Sequence, residues 1–290
     1  MREVRLNAFA KVNYALDVLG LRQDGYHEIR TVMQSISLAD GVEVRRAVRG
    51  FALTLEPEAV GIGPSDQNTA YLAWRSLQEL TGDELPVEVT LHKRTPAGAG
   101  LGGGSADAAA VLVGLNEIFG LGLSGDELRE AGAGIGSDVP FCIAGGTALG
   151  EGVGEKLTPL VAPPAHRLVV AKPPGSAETA RIYRAHDGTK MESARAVEPV
   201  ISALHAGRVP DLAAAAGNDL APVTKELVPE VAALEQELLA SGALGASMSG
   251  SGTAVYGIFA DEAAAGNANG KLDAPFIGVY EPVSHGVEFA

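Results

Sequence analysis

A glycine-rich run at residues 96–104 limits what this chain can fold into more than any other stretch. The run, PAGAGLGGG, holds five glycines in nine positions and continues into the alanine-rich stretch SADAAAVLVGLN. The preceding residues 86–94, PVEVTLHKR, alternate apolar and polar side chains as a β-strand does. A chain gives up side chains in this way where its backbone comes close to another group. The sequence therefore predicts a strand, a tight glycine loop and a helix over about 105–118.

Two nucleotide-binding patterns can be compared with this loop. Gly98, Gly100 and Gly103 satisfy the GxGxxG pattern of dinucleotide-binding folds, but no following strand ends in an acidic residue about 20 positions on, as that pattern requires. The P-loop pattern fails because Gly104 and Ser105 stand where lysine and serine should be. Both patterns are therefore disfavoured.

Two interpretations of the loop then remain. Close packing of a helix on a strand, with no ligand, explains two or three glycines but not the whole run. The favoured interpretation is a phosphate cradle, in which backbone N–H groups of the loop and the helix N-terminus point at an anion. Because the motif contains no lysine, we expect Lys93 or Arg94 and a metal ion to add positive charge.

Composition narrows the classes of partner. The 290 residues are 46% hydrophobic, with a formal net charge of −14, so a normal core is expected and nucleic acid is disfavoured as a partner. The apolar runs are shorter than the ~20 residues of a membrane span. The single cysteine, Cys142, excludes an internal disulfide framework, and the first residues do not resemble a signal peptide. We therefore expect a cytoplasmic protein that binds a small molecule, not a membrane or a nucleic acid.

Strands and helices alternate irregularly in both halves of the chain, which predicts an α+β protein of two domains. Prolines cluster at 159–167, so we place the domains at 1–160 and 161–290. Apolar periodicity and the SGDE capping box predict helices over 65–80, from 124, and over 197–206, 211–216 and 225–241. A β-hairpin is expected after GSDVPF. Residues 260–272 have little apolar face and predict at most a short helix.

Four other short motifs carry chemistry-bearing side chains. Lys11 lies in the mostly apolar strand AFAKVNYAL, and Asp138 lies in GSDVPF, where an ordinary helix cap is the alternative. Tyr26 and His27 lie in the loop motif DGYHE, and the stretch SGSGT at 249–253 precedes a strand. Each motif alone also fits a structural role. Their joint occurrence with the glycine loop points to a site.

Together these motifs resemble those of the GHMP kinases, the group that contains galactokinase, homoserine kinase and mevalonate kinase. The matching stretches are AKVN, DGYHE, QNTAYLAW, the glycine loop with its helix, GSDVPF, GGTALGEGVGE and SGSGT, which span residues 10–253. The resemblance implies an N-terminal α/β domain of the ribosomal protein S5 domain 2 type and a C-terminal ferredoxin-like α+β domain. The active site is then expected in the cleft between them.

AKVN and DGYHE resemble the members that phosphorylate the 2-hydroxyl of a cytidine diphosphate-linked methylerythritol, in the non-mevalonate route to isopentenyl diphosphate. Lys11 then resembles the catalytic lysine and Asp138 the catalytic aspartate, which accepts the hydroxyl proton or orients the hydroxyl. Since phosphoryl transfer passes through a loose transition state, positioning and charge neutralisation should supply most of the rate acceleration. The expected substrate-binding residues are Asn13, Tyr26, His27, Thr179 and Tyr183.

The resemblance also implies ATP and Mg²⁺, although no residue is assigned as a metal ligand. The expected ATP-binding residues are Asn68, Lys93, Pro96, Gly98, Gly100, Leu101, Gly102, Gly103, Gly104, Ser105 and Ala106; Ser249, Gly250, Ser251 and Gly252 form a second glycine loop. Ala106 and Asp107 depart from the Ser-Asn or Ser-Ala of many relatives. The expected state is a monomer or weak homodimer. Another GHMP kinase, of the homoserine or mevalonate type, and a non-catalytic binding protein on this fold are the alternatives.

Overall fold

The computed structural model describes residues 2–57, 66–189 and 195–290. The strands in these ranges are β1 (Glu3–Leu21), β2 (His27–Arg46), β3 (Phe51–Glu56), β4 (Val87–His92), β5 (Thr147–Glu151), β6 (Lys156–Pro159), β7 (Arg167–Lys172), β8 (Gly217–Asn218), β9 (Gly245–Met248), β10 (Val255–Phe259), β11 (Phe276–Tyr280) and β12 (Val287–Phe289). The helices are α1 (Thr69–Thr81), α2 (Gly103–Phe119), α3 (Gly125–Ala133), α4 (Val139–Ala144), α5 (Thr179–Asp187), α6 (Val197–Ala206), α7 (Val209–Ala215), α8 (Ala221–Leu227), α9 (Glu230–Ala240) and α10 (Glu262–Asn269).

The strands form two mixed or antiparallel sheets, which confirms the α+β class. The first sheet has the order β12-β1-β2-β4-β3, with β5 paired to β2, β6 to β5 and β8 to β1. The second sheet has the order β11-β7-β10-β9. The predicted domain boundary at residue 160 stays a prediction. The later strands β8 and β12 return to pair with β1, so the two halves of the chain share the first sheet.

Strands β1 and β2 form a long hairpin in the first sheet, and four other strands pair with it. The two strands pair antiparallel from Glu3↔Arg45 to Leu21↔His27, with irregularities on either side of Lys11 and Asn13. Bulges of this kind change the direction in which side chains point. Residues 8–18 of β1 are all buried. The start of the strand packs in the core with α2, and its middle packs with residues of the second sheet.

Helix α2 explains why an alanine-rich stretch follows the glycine loop. Its residues 106–112 are all buried, and it contacts α1, α4 and the first sheet. A Cβ at Gly114 would lie 2.8 Å from Val44, so large side chains would hold the helix away from the sheet. A helix that is apolar on all sides is buried on all sides, and this rigid packing fixes the position of its N-terminus.

Several local predictions can be compared with the structure. The capping box is confirmed, since Ser124 and Glu127 hydrogen-bond reciprocally at the start of α3. The hairpin of β5 and β6 and the short α10 are also confirmed. A single helix over 225–241 is wrong, because the chain breaks between α8 and α9 at Val228 and Pro229. Helix α1 begins at Thr69, and the predicted start at residue 65 lies outside the described residues.

In the ranges that the structure describes, no helix is both long enough and apolar enough to cross a bilayer.

Candidate active site

The glycine loop adopts the backbone conformation of an anion-binding turn. Gly98, Gly100 and Gly102 have φ angles of +60°, +74° and +71°, and α2 begins directly after Gly102 without a side-chain cap. The carbonyl oxygens of Ala99, Gly100 and Leu101 accept hydrogen bonds from Ala254 N, Ser249 Oγ and Lys11 N. The carbonyls are thus turned into the protein, and the first N–H groups of α2 have no intrahelical acceptor. This arrangement suits a phosphate.

Close approach explains part of the glycine content. A Cβ at Gly100 would lie 2.1 Å from Ser249 O, and one at Gly102 would lie 3.0 Å from Lys11 Cγ. A Cβ at Gly103 would lie 2.8 Å from Thr95 Cγ2. By contrast, a Cβ at Gly98 would have no neighbour within 4 Å. Packing therefore requires the middle glycines, whereas Gly98 faces open space.

Lys11 and Asp138 meet beside this loop. Lys11 Nζ lies 3.2 Å from Asp138 Oδ2 and donates to Asn13 Oδ1 at 2.7 Å. The Lys11 side chain is 4% exposed, whereas that of Asp138 is 31% exposed. The Lys11 ammonium is therefore held by two partners, while part of the Asp138 carboxylate remains open to a ligand.

The surroundings hold this pair in place. Asn13 Nδ2 donates to Thr31 Oγ1 at 2.7 Å, which orients the amide oxygen toward Lys11. Asp138 stands at the first position before α4, but its side chain makes no capping hydrogen bond. Asp138 therefore stands at the start of α4, as the alternative expected, but its side chain does not cap the helix. The nearby Cys142 is buried, and burial raises the pKa of its thiol, so it is no nucleophile.

Two cavities border the glycine loop. The larger, of about 780 Å³, contains Lys11, Asn13 and Asp138 together with Tyr26, His27, Thr179, Tyr183 and residues 250–252. The smaller, of about 500 Å³, is lined by 67–69, Lys93, 95–105 and Asp107. Gly98 and Gly100 line both cavities. A group bound at these two glycines would therefore reach both cavities.

The aromatic end of the larger cavity is built by the tip of the β1–β2 hairpin and by α5. The Tyr26 ring is 66% exposed, whereas the His27 and Tyr183 rings pack with their centroids 4.7 Å apart. Burial raises the pKa of the Tyr183 phenol, and the Asp138 charge raises it further, so it remains a neutral donor. Thr179 Oγ1 lies 2.9 Å from Ser251 Oγ and ties α5 to the second glycine loop.

In the smaller cavity, Asn68 caps α1 by accepting from Ala70 N at 2.9 Å. Lys93 Nζ lies 2.5 Å from both Asp40 Oδ2 and Asp107 Oδ2. Burial lowers the pKa of Lys93, but the two carboxylates more than offset this, so the net shift is upward. The positive charge of Lys93 is therefore neutralised within the protein rather than offered free to a ligand.

The two acidic partners of Lys93 were missed by the sequence reasoning. Asp40 is fully buried, and its Oδ1 also accepts from Arg94 N and Thr95 N at 2.5 and 2.7 Å. Burial raises the pKa of Asp107 to about 7, against the opposing effect of the Lys93 ammonium. These three charges connect β2, the end of β4 and the first turns of α2. Asp107 stood out in the sequence, but nothing there indicated its distant partner Asp40.

Two predicted residues lie behind the cavities. Ala106 is fully buried, and its N–H bonds back to Gly102 O, so its side chain does not line either cavity. Ser249 is also buried and bridges Gly100 O and Asn13 N. Arg184, which the sequence reasoning missed, lines the larger cavity, and among the described residues no carboxylate pairs with its guanidinium.

Comparisons with known proteins agree with this geometry. The family model described as the GHMP kinase N-terminal domain matches residues 68–146, and that of the GHMP kinase C-terminal domain matches residues 200–278. Proteins named 4-diphosphocytidyl-2-C-methyl-D-erythritol kinase are similar to this chain. That of Pelotomaculum thermopropionicum is 45% identical, over 88% of each chain, and that of Moorella thermoacetica is 46% identical, over 90% of this chain and 92% of its own.

Solved structures give the same result. A crystal structure of 4-(cytidine 5'-diphospho)-2C-methyl-D-erythritol kinase is 33% identical, with a TM-score of 0.80, and covers 96% of this chain and 98% of its own. A homoserine kinase from Cytophaga hutchinsonii is 19% identical with a TM-score of 0.78, covering 100% and 98%, and shows the common fold alone. The chain therefore belongs to the GHMP kinase family and, within it, to the 4-diphosphocytidyl-2-C-methyl-D-erythritol kinases.

Proposed function

We propose that this protein transfers the γ-phosphoryl group of ATP to the 2-hydroxyl of 4-diphosphocytidyl-2-C-methyl-D-erythritol, giving the 2-phosphate and ADP. The observation that carries the proposal is the meeting of the two cavities at Gly98 and Gly100, with Lys11 and Asp138 on the side of the larger one. The reaction belongs to the non-mevalonate route to isopentenyl diphosphate.

The smaller cavity suits ATP. Its phosphates would lie on the glycine loop, where backbone N–H groups and the N-terminus of α2 face outward while the carbonyls are bonded within the protein. Asn68 and the residues beside it would border the base and sugar. Because the protein carries a net charge of −14, these uncharged donors supply local attraction that the whole molecule does not.

Mg²⁺ would accompany ATP. Among the described residues no group of three His, Cys, Asp or Glu side chains could hold a metal. The oxygen donors present still fit this ion, since Mg²⁺ keeps several waters and binds mainly through phosphates. Ser105 Oγ would lie 3.9 Å from a Cβ at Gly136, so this hydroxyl faces the turn before Asp138. Ser105, which lines the smaller cavity, would hold the ion together with the phosphates and water, and the ion would supply neutralisation of phosphate charge.

On the acceptor side, Asp138 would bind the reacting hydroxyl. Its carboxylate is partly open, and the Lys11 ammonium lies 3.2 Å away, where its charge would favour the alkoxide that develops at the hydroxyl. Asn13 holds Lys11 in place by the 2.7 Å hydrogen bond. An aspartate is a weak base for an alcohol, so orientation and charge neutralisation supply most of the rate in a loose transition state.

The cytidine end of the substrate would lie at the aromatic end of the larger cavity. The exposed Tyr26 ring can close over a pyrimidine, and Tyr183 and His27 supply a ring surface and an edge. The guanidinium of Arg184 lies on the same wall, has no carboxylate partner among the described residues and would meet the diphosphate. These features support a cytidine substrate over homoserine or mevalonate, which carry no base.

A substrate panel tests this proposal. The purified protein is incubated with MgATP and, separately, with the cytidine substrate, homoserine and mevalonate, and phosphate addition is followed by mass spectrometry. We expect addition to the cytidine substrate alone. Absence of that product, or faster phosphorylation of homoserine or mevalonate, would overturn the proposal. The same sample run by analytical ultracentrifugation tests the proposed monomer or weak homodimer.

A further inference from the structure

One face of α5 carries a polar side chain that the proposed reaction does not use. Thr179, Tyr183 and Asp187 follow one another at intervals of four residues, which places them on one side of the helix. Thr179 and Tyr183 line the larger cavity. Asp187, at the last residue of the helix, reaches the hairpin tip instead, where its Oδ1 lies 2.7 Å from His27 Nε2.

This contact determines which nitrogen of His27 carries the proton. A neutral imidazole has one N–H donor and one acceptor nitrogen, and the partner of one nitrogen decides the state of the other. The carboxylate of Asp187 can only accept, so His27 Nε2 donates to it. His27 Nδ1 is then the acceptor nitrogen. The ring cannot rotate away easily, because its side chain is 8% exposed and it packs against Tyr183 with an angle of 30° between the ring planes.

The acceptor nitrogen belongs to a side chain at the wall of the larger cavity. His27 lines that cavity, and among the described residues its Nδ1 has no hydrogen-bond partner. Nδ1 is not one of the buried polar atoms without a partner, so it is accessible to a ligand or to water. Cytosine presents an amino group at position 4, where uracil presents a carbonyl oxygen. An acceptor nitrogen at this point attracts the amino group and repels the carbonyl oxygen.

Building on the proposed function, we propose that Asp187 is a positioning residue that makes the enzyme specific for cytidine over uridine, by holding His27 in the tautomer that accepts from the 4-amino group. Asp187 does not touch the substrate. Its carboxylate is 40% exposed, so the fold does not depend on it as it would on a buried charge. Removing the carboxylate frees His27 to adopt the other tautomer, which donates and therefore tolerates uridine.

The test is the ratio of kcat/KM for the cytidine substrate to that for its uridine analogue. The wild-type protein should favour cytidine, and Asp187→Ala should lower the ratio by about 10- to 100-fold, the range expected when one polar pair is lost or mismatched. Asp187→Glu, which restores an acceptor, should recover most of the preference. Asp211→Ala is the matched control, because Asp211 lies on α7 and pairs only with Arg208 in the described residues, outside the cavity.

A purely structural role gives a different result. If Asp187 only held α5 in place, Asp187→Ala would lower both kcat/KM values together and leave the ratio unchanged, which would overturn the proposal. A wild-type preference for uridine would do the same. In the unliganded protein, ¹⁵N NMR of His27 should show Nε2 protonated and Nδ1 unprotonated, and the opposite assignment would refute the tautomer. This NMR result does not depend on turnover, so it separates this proposal from the proposed function.

Discussion

Replacing Gly100 by alanine tests whether the two glycine loops must touch for the enzyme to work. Gly100 has a φ angle of +74°, in the left-handed region that costs an L-residue about 1–2 kcal/mol. Its new Cβ would also lie 2.1 Å from Ser249 O and 3.1 Å from Gly252 N. To restore a contact of 3.0 Å to Ser249 O, the loops must separate by about 0.9 Å.

That separation propagates to Lys11 and Asp138, the proposed catalytic pair. Ser249 Oγ donates to Gly100 O at 2.8 Å and accepts from Asn13 N at 3.3 Å, while the Asn13 side chain holds Lys11. A misplacement of about 1 Å costs roughly 100-fold in rate, since the reacting groups leave their productive geometry. We therefore expect kcat/KM for both substrates to fall by about 100-fold in Gly100→Ala.

Gly120→Ala is the matched control for the backbone conformation. Gly120 ends the same helix, α2, with a φ angle of +66°, and its Cβ would have no neighbour within 4 Å. Thermal melting should show a loss for both variants, because each bears the left-handed cost of about 1–2 kcal/mol. Steady-state kinetics should show an activity loss for Gly100→Ala alone. Equal turnover by the two variants would refute the reasoning.

Four further predictions follow from the same structure. Asp138→Asn should lower kcat by about 10²- to 10⁴-fold while calorimetry shows unchanged binding of ATP and substrate; full activity would remove its assigned role. Tyr26→Ala should raise the KM for the cytidine substrate by about 10-fold, through lost stacking, and spare the KM for ATP and the melting temperature, since the ring is exposed. Asp40→Asn should lower the free energy of unfolding in urea by about 3–5 kcal/mol, because the buried Asp40 carboxylate pairs with Lys93 and also accepts from Arg94 N and Thr95 N, whereas Asp107→Asn should cost much less, because Asp107 Oδ1 has no hydrogen-bond partner among the described residues and burial already disfavours the Asp107 charge; equal costs would contradict this. Burial lowers the pKa of His166, so the unfolded chain takes up the proton first and the stability should fall as the pH drops below about 6.5; His166→Gln should remove this part of the pH dependence, and an unchanged profile would exclude it.

The sequence predicted features that depend on neighbours along the chain. The glycine loop and its helix followed from backbone sterics, and the capping box of Ser124 and Glu127 from a spacing of three residues. Such features need no knowledge of distant contacts. Helix α5 was missed although Thr179, Tyr183 and Asp187 repeat every four residues, because its short polar sequence lacks an apolar face of the usual width.

One local break was missed. The chain breaks between α8 and α9 at Pro229, although apolar periodicity continues across this residue.

Distant contacts could not be read from the sequence. The partners of Lys93 are 53 and 14 residues away, and the contact of His27 with Asp187 spans 160 residues. Many carboxylates could serve as partners of a given lysine or histidine, and spacing along the chain does not rank them.

The sequence by itself determined that a strand, a glycine loop and a helix follow one another, and it predicted that the loop binds phosphate and which side chains could serve it. Local conformation and residue chemistry were enough for that, since glycine, lysine, aspartate and tyrosine have properties that do not depend on the fold. Only the tertiary structure decided that Lys11 lies 3.2 Å from Asp138 and that Lys93 is neutralised by two buried carboxylates. Distance and burial set the strength of a charge interaction, and both come from packing of strands and helices far apart in the chain.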